Sequence, residues 1–138
     1  MRFTTKVIQG WDGQIEGALV VTRMKISFFG DIDPKTGDVV GVDLDIRGEN
    51  IADKIFVFSE GRGSTVGSNV LYGLAVNGRA PKLIATERAE FITISGAIYG
   101  AIPMVSHLSP DAFDFLTTGT IARAYVLGDV AYVEGGAD

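Results

Sequence analysis

The chain has 138 residues, of which 46% are hydrophobic and 21% are charged, and its formal net charge is −5. These values are typical of one folded domain with a single core, and they exclude a disordered chain. Lysine and arginine are scattered rather than clustered, which argues against a scaffold that binds nucleic acid.

The chain contains no cysteine and one histidine, His107. Disulfides, zinc–thiolate sites and iron–sulfur clusters held by this chain's own thiols are therefore excluded, and metal chemistry would need carboxylates or another chain. No stretch is apolar over the length of a membrane span, and the first residues, MRFTTKVIQG, lack the apolar segment of a signal peptide. We therefore expect a cytoplasmic protein.

The first third of the chain predicts strands and turns. An extended segment at residues 2–10 ends at a glycine, and residues 16–23 contain a continuous apolar run typical of a strand buried on both faces. Asp-Pro and Thr-Gly pairs within residues 33–37 predict turns. Residues 42–48, VDLDIRG, alternate apolar and acidic side chains, which predicts a half-exposed strand with its apolar side chains facing inward.

The middle of the chain alternates predicted strands and helices. Apolar runs predict strands at residues 53–61, 81–86 and 101–108, with helices between them at 64–78 and 87–100. This alternation implies parallel strands joined by right-handed crossovers. The second helix is expected to turn four apolar side chains inward, namely Phe91, Ile94, Ala97 and Ile98.

The last part of the chain predicts a short helix and a hairpin. Residues 109–119 have the composition of one or two helical turns with Ser109 as N-cap, and residues 120–136 predict a β-hairpin that turns at Gly128-Asp129. Antiparallel strands on both flanks of a βαβαβ segment predict one α/β domain over residues 1–138, with β/β/α layers.

A glycine-rich segment, SEGRGSTVGSNVLYG at residues 59–73, follows the central apolar strand. A phosphate-binding loop of the Walker type is excluded, because the segment has no lysine before its hydroxyl residues. A dinucleotide site is a second interpretation, since Gly61, Gly63 and Gly67 stand between a strand and a helix, with Glu87 after the next strand. The displaced last glycine and the β-rich first third of the chain disfavour it.

The third interpretation places Ser64 at the start of the helix that follows. Unpaired backbone N–H groups and the helix dipole create a positive potential there, which binds carboxylates or phosphates and stabilises a serine alkoxide. Arg62 would add a fixed positive charge beside it. The alternative role for Ser64 is a helix N-cap without chemistry, worth about 1 kcal/mol.

Over nearly its whole length the chain resembles the small subunits of the aconitase X family. The resemblance is carried, in the same order, by GALVVTRMKISFFGDIDPKTGDVVG, GRGSTVGSNVLYGL, GRAPKLIATERAE, SGAIYGAIPMV and GDVAYVEGG. It implies a swivelling β/β/α domain, the counterpart of the mobile last domain of aconitase-type hydro-lyases.

The resemblance also implies a hydro-lyase subunit that works with a large subunit in a heterodimer. In this family the large subunit carries a [4Fe-4S] cluster, while the small subunit binds no cofactor and lends a serine that accepts the substrate proton. The matching residue is Ser64, and Arg62, Gly63 and Thr65 are the expected substrate-binding residues. A second role for Arg62, holding the loop through an ion pair with a neighbouring carboxylate, stays open. The expected reaction dehydrates (R)-5-phosphomevalonate to trans-anhydromevalonate 5-phosphate, in an archaeal-type mevalonate pathway of isoprenoid biosynthesis.

One departure from the wider aconitase pattern concerns substrate binding. The pattern G-S-S-R-E-H has an arginine shortly after the serine, and this chain has none there. Either the substrate differs from citrate-like tricarboxylates, or the cation comes from Arg62, Arg79 or the partner. Two alternatives stay open: the small subunit of a cis-3-hydroxyproline dehydratase, and a non-catalytic module that binds an anion or a dinucleotide. His107 is expected to be a polar residue at a strand end rather than a base.

Overall fold

The structure, a computed structural model, describes residues 1–63 and 65–135. Within these residues the chain forms seven strands and four helices. The strands are β1 Arg2–Gln9, β2 Gln14–Val21, β3 Ile55–Phe58, β4 Leu83–Thr86, β5 Met104–Ser106, β6 Ile121–Leu127 and β7 Val130–Glu134. The helices are α1 Phe28–Asp31, α2 Val66–Val76, α3 Phe91–Tyr99 and α4 Ala112–Phe115.

The strands form one closed sheet in the order β1-β5-β4-β3-β2-β6-β7, in which β7 also pairs with β1. Strands β2, β3, β4 and β5 run parallel to their neighbours within this group. The remaining pairings, which involve β1, β6 and β7, are antiparallel. The predicted parallel βαβαβ segment is therefore confirmed as β3-α2-β4-α3-β5, and the predicted C-terminal hairpin is confirmed as β6-β7.

Two cores lie on opposite faces of the sheet. Alternate residues of β3 point into different cores. Ile55 and Val57 belong to the inner core, which receives side chains from all seven strands and therefore fills the inside of the closed sheet. Phe56 and Phe58 belong to the other core, which lies beneath α2 and α3. This division explains why β3 is apolar at every position, since neither of its faces meets solvent.

The predicted strand at residues 42–48 is wrong. The segment forms consecutive turns, in which Leu44 N donates to Gly41 O at 3.3 Å and Arg47 N donates to Leu44 O at 3.2 Å. Leu44 and Ile46 are buried as expected, whereas Val42 is 70% exposed. The apolar residues of the alternating pattern are therefore side chains that reach the core from consecutive turns, and the segment is not a pleated strand.

The inward face predicted for α3 is wrong for two of its four residues. Phe91 and Ile98 are 75% and 53% exposed, while Ala97 is buried as expected and Ile94 is half-buried against the outer core. Small residues face inward because α3 packs closely on α2: a Cβ at Gly96 would stand 2.7 Å from the Cβ of Leu71. Close packing of the two helices therefore decides which side of α3 is buried.

The short helix α4 begins slightly later than predicted. Asp111, not Ser109, occupies the N-cap position, and the carbonyl of Ser109 accepts a hydrogen bond from Ala112 N at 2.9 Å. A short helical segment is confirmed here. No helix in the described part of the chain is long and apolar enough to cross a membrane.

Candidate functional site

The first part of the glycine-rich segment, residues 59–65, is called the glycine loop below. It follows the carboxyl end of β3, the edge at which parallel sheets bind ligands. A second segment runs alongside it: Ile26 N donates to Glu60 O at 3.1 Å, and Arg62 N donates to Ile26 O at 2.9 Å. Residues 25–27, which follow β2, therefore continue the parallel pairing of β2 with β3 beyond the strands themselves. This pairing brings two distant parts of the sequence together at one site.

Gly61 packs directly against the start of α3. Glu90 caps that helix, because its carboxylate accepts hydrogen bonds from Ile92 N and Thr93 N, both at 2.9 Å. It also accepts one from the Thr93 hydroxyl at 3.0 Å. A Cβ at Gly61 would overlap both Glu90 Oε1 and Thr93 Oγ1, so only glycine fits between the loop and the cap.

Gly63 has a φ of +100°, a backbone conformation that residues with a side chain rarely adopt. A Cβ here would also stand 2.8 Å from the hydroxyl oxygen of Ser27. Gly67, within α2, lies against Ile92, and Ser68 next to it donates a hydrogen bond to Ile92 O at 3.0 Å. Packing and backbone geometry therefore account for all three glycines without a bound dinucleotide.

Three residues of the predicted site, Arg62, Gly63 and Thr65, lie directly before α2 in the described part of the chain. Ser64, the predicted proton acceptor, lies outside the described residues. Its neighbours Gly63 and Thr65 are exposed, and Thr65 stands at the N-cap position of α2 without a side-chain capping hydrogen bond. Arg62 is exposed as well. The loop thus presents its backbone and one guanidinium outward, at the positive end of an 11-residue helix.

Charged side chains surround the loop. The Glu60 carboxylate forms ion pairs with Lys25 at 3.3 Å and with Arg88 at 3.4 Å. Arg62 has no ion pair with any residue that the structure describes. Lys25 and Arg88 lie outside the glycine-rich segment and were not predicted to be its neighbours. No local signal identifies Lys25, because it reaches the loop only through the pairing of Ile26 with Gly61.

Arg79, the other cation considered for substrate binding, lies elsewhere. It follows the end of α2, where its N–H donates to Leu74 O at 2.8 Å, and it precedes β4. It therefore stands near the amino ends of the parallel strands, at the edge opposite to the glycine loop. Of the two arginines considered in this chain, only Arg62 is at the site.

A cavity of about 440 Å³ opens beside the loop. Its walls include Lys25, Ser27 and Arg62, together with the apolar side chains of Phe29 and Val42. In the described part of the chain, no group of three or more histidine, cysteine, aspartate or glutamate side chains is placed to hold a metal ion. Asp31 and Asp43 line the same cavity, so the site offers hydrogen-bond donors and charges of both signs.

His107 directly follows β5, at a strand end as predicted. Its φ is +62°, and its Nδ1 atom lies 2.7 Å from the hydroxyl of the preceding Ser106.

Residues 4–133 match the family model described as the aconitase X swivel domain. The chain belongs to the aconitase X swivel domain family. It is 45% identical over 125 residues to the phosphomevalonate dehydratase small subunit of Thermococcus kodakarensis, covering 90% of this chain and 92% of the relative. It is 42% identical over 134 residues to the protein of the same name from Archaeoglobus fulgidus, covering 97% of this chain and 98% of that one.

Among solved structures, the swivel domain is similar to a chain of the aconitase X crystal structure from Thermococcus kodakaraensis in its holo-form. The TM-score is 0.86 at 40% sequence identity, and the match covers 97% of this chain and 98% of that chain. The resemblance to aconitase X small subunits and the predicted swivel-domain fold are confirmed by these matches.

Proposed function

We propose that this chain is the small subunit of a phosphomevalonate dehydratase, a hydro-lyase that requires a large subunit for activity. Relatives of that name align with at least nine-tenths of this chain at 42% and 45% identity, which supports the assignment. The structural observation that carries the proposal is that Arg62, Gly63 and Thr65 are all exposed directly before the amino end of α2. Residues 1–138 would act as one swivelling domain that brings this loop to the substrate.

In the proposed reaction, (R)-5-phosphomevalonate loses water to give trans-anhydromevalonate 5-phosphate. Ser64, as an alkoxide, takes the proton from the carbon next to the substrate carboxylate. The backbone N–H groups near Gly63 and Thr65, with the dipole of α2, stabilise that alkoxide and nearby substrate oxygens. Arg62 contributes positive charge toward a substrate anion.

The proposal assigns the [4Fe-4S] cluster to the large subunit. This chain has no cysteine, and its described residues provide no metal-binding group, so its own side chains do not fit such a cluster. When bound in the partner, the cluster supplies a Lewis acid for the departing hydroxyl.

The large subunit must cover the glycine loop if it presents the substrate there. Apolar side chains around the loop suit such a contact, because Phe29 is 59% exposed and Val42, on the same cavity wall, is more exposed still. Exposed apolar surface beside a polar site is a common feature of protein interfaces.

The direct test is Ser64→Ala in the enzyme reconstituted from both subunits and assayed with (R)-5-phosphomevalonate. Turnover should fall by about a hundredfold to ten-thousandfold, the usual contribution of a general base, while the subunits still associate. Ser109→Ala, which removes an exposed hydroxyl outside the loop, serves as the matched control and should keep normal turnover. Normal turnover by Ser64→Ala would reduce Ser64 to a structural residue.

Two further measurements separate the alternatives. The wild-type pair is assayed with cis-3-hydroxyproline, and dehydration of that substrate in place of phosphomevalonate would assign the chain to the rival dehydratase. The isolated chain should be inactive with both substrates, since a catalytic step by this chain alone contradicts its assignment as a subunit.

A further inference from the structure

Lys25 reaches the glycine loop from a different part of the sequence. Ile26 pairs with Gly61 and is fully buried, so its neighbours Lys25 and Ser27 lie on the outer side of the same extended segment. Both line the cavity of about 440 Å³ that also contains Arg62. Two cations therefore face one cavity at the carboxyl end of the parallel strands.

Cations and carboxylates line this cavity in equal number, so which of them are already paired decides what the wall can bind. Among the described residues, Lys25 forms an ion pair with one carboxylate, that of Glu60, and the same carboxylate also pairs with Arg88. Arg62 has no ion pair among the residues described. Two carboxylates also line the cavity: Asp31 is occupied in accepting a hydrogen bond from Ser27 N at 2.8 Å, and Asp43 lies on an exposed turn.

The spacing of these groups suits a short chain with an anion at its far end. The Ser27 hydroxyl is the side-chain atom nearest to the Cβ position of Gly63. Lys25 lies two residues before Ser27 in an extended segment, which is about 6.6 Å along the backbone at the usual rise of a strand. A substrate whose reacting carbon sits at the loop would thus carry its other end past Ser27 to Lys25.

We propose that Lys25, together with Arg62, binds the terminal phosphate of the substrate in this cavity. Lys25 is then a specificity-determining residue of the dehydratase, an inference that rests on the function proposed above. A phosphate has three oxygens that accept charge-assisted hydrogen bonds from an ammonium and a guanidinium at once. The rival substrate hydroxyproline has no second anionic group, so it would leave this pair of cations unused.

The test uses the reconstituted two-subunit enzyme and steady-state kinetics with (R)-5-phosphomevalonate. Lys25→Met should raise KM by about tenfold to a hundredfold, the usual range for losing a charged hydrogen bond, and should leave kcat within about twofold. Inorganic phosphate should inhibit the wild type competitively, and its inhibition constant should rise in Lys25→Met by a similar factor. Lys25→Arg, which keeps the charge, should recover most of the loss in KM.

Two controls separate phosphate binding from other effects. Lys82→Met removes a lysine at the amino end of β4, on the opposite edge, and should behave as the wild type. Arg88→Met removes the other cation beside Glu60, so it disturbs the same carboxylate without touching the cavity.

An unchanged KM in Lys25→Met would overturn the inference. An equal rise in KM in Lys25→Met and Arg88→Met would overturn it as well, because both lysine and arginine would then act by holding Glu60 in place. The wild-type assay separates this result from a failure of the proposed function. If the wild-type pair does not dehydrate phosphomevalonate at all, the proposed function is wrong, and the inference about Lys25 is wrong with it.

Discussion

The carboxylate of Glu90 occupies the space next to Gly61, so one side chain both caps helix α3 and borders the glycine loop. Its oxygens accept hydrogen bonds from the N–H groups of Ile92 and Thr93, and these bonds fix the carboxylate in place. The loop after β3 and the start of α3 are therefore built as one unit, and a change on either side is expected to reach the other.

Gly61→Ala should destabilise the fold by about 1–3 kcal/mol, the usual cost of inserting a carbon into a close-packed contact. The added Cβ would overlap the fixed oxygens of Glu90 and Thr93, which cannot move without breaking the cap. Urea unfolding of the isolated chain measures the change in free energy. A change below about 0.5 kcal/mol, the size of ordinary surface substitutions, would contradict the close contact.

Gly73→Ala, the same substitution within α2, should stabilise the fold, in contrast to Gly61→Ala. The new Cβ would meet only the Cβ of Pro34, at an ordinary contact distance of 3.8 Å. Replacing a glycine within a helix by alanine reduces the entropy lost on folding, so the free energy of unfolding should rise by about 0.5–1 kcal/mol. The measurement is again urea unfolding, and a loss of stability would disprove the prediction.

Glu90→Ala should lower the free energy of unfolding by about 0.5–2 kcal/mol, the usual cost of losing a helix cap. Hydrogen exchange should become faster at the amides of Ile92 and Thr93, because both lose their acceptor. Glu90→Gln keeps one carbonyl oxygen as an acceptor and should lose less stability than Glu90→Ala. Equal protection of the two amides in Glu90→Ala and the wild type would argue against the cap.

The turn that contains Asp38 should respond to acid. The hydrogen bond from Asn50 Nδ2, at 2.8 Å, is the main reason why the pKa of Asp38 lies below its ordinary value, and Thr36 adds to the effect. A depressed pKa in the folded state means that ionised Asp38 stabilises the fold above its ordinary, unfolded pKa of about 3.8. This stabilisation is lost as the pH falls through the lower folded value.

Asp38→Asn should therefore be less stable than the wild type at pH 7, and the difference should shrink as the pH falls below about 4. Because Asp38 is exposed, we expect a small difference. Urea unfolding at pH 7 and at pH 3 measures it. A difference that is the same at both pH values would show that ionised Asp38 does not stabilise this turn.

The proposed subunit contact predicts that Phe29→Ser and Val42→Ser each weaken binding of the large subunit by about tenfold, since each deletes exposed apolar surface beside the loop. Val76→Ser is the matched control, because Val76 is also exposed but lies at the far end of α2, about 15 Å along the helix. Isothermal titration of the large subunit measures the affinities. Equal weakening by all three variants would place the interface elsewhere or spread it over the surface.

The sequence alone determined the elements whose burial follows from neighbouring residues. The apolar run of β3 predicts a strand buried on both faces, and the turn at Gly128-Asp129 predicts the β6-β7 hairpin, because both signals lie within a few residues of the structure they specify. The glycine loop was located in the same way, as a break between a strand and a helix.

Only the tertiary structure decided how these elements meet. The buried face of α3 depends on how closely Gly96 approaches Leu71 of α2, and the turns at residues 42–48 place Leu44 and Ile46 in a core formed mostly by distant residues. Lys25 joins the site because Ile26 hydrogen-bonds along Glu60 and Arg62. Contacts between residues far apart in the chain carry no local pattern, so the composition of the site could be established only from the folded molecule.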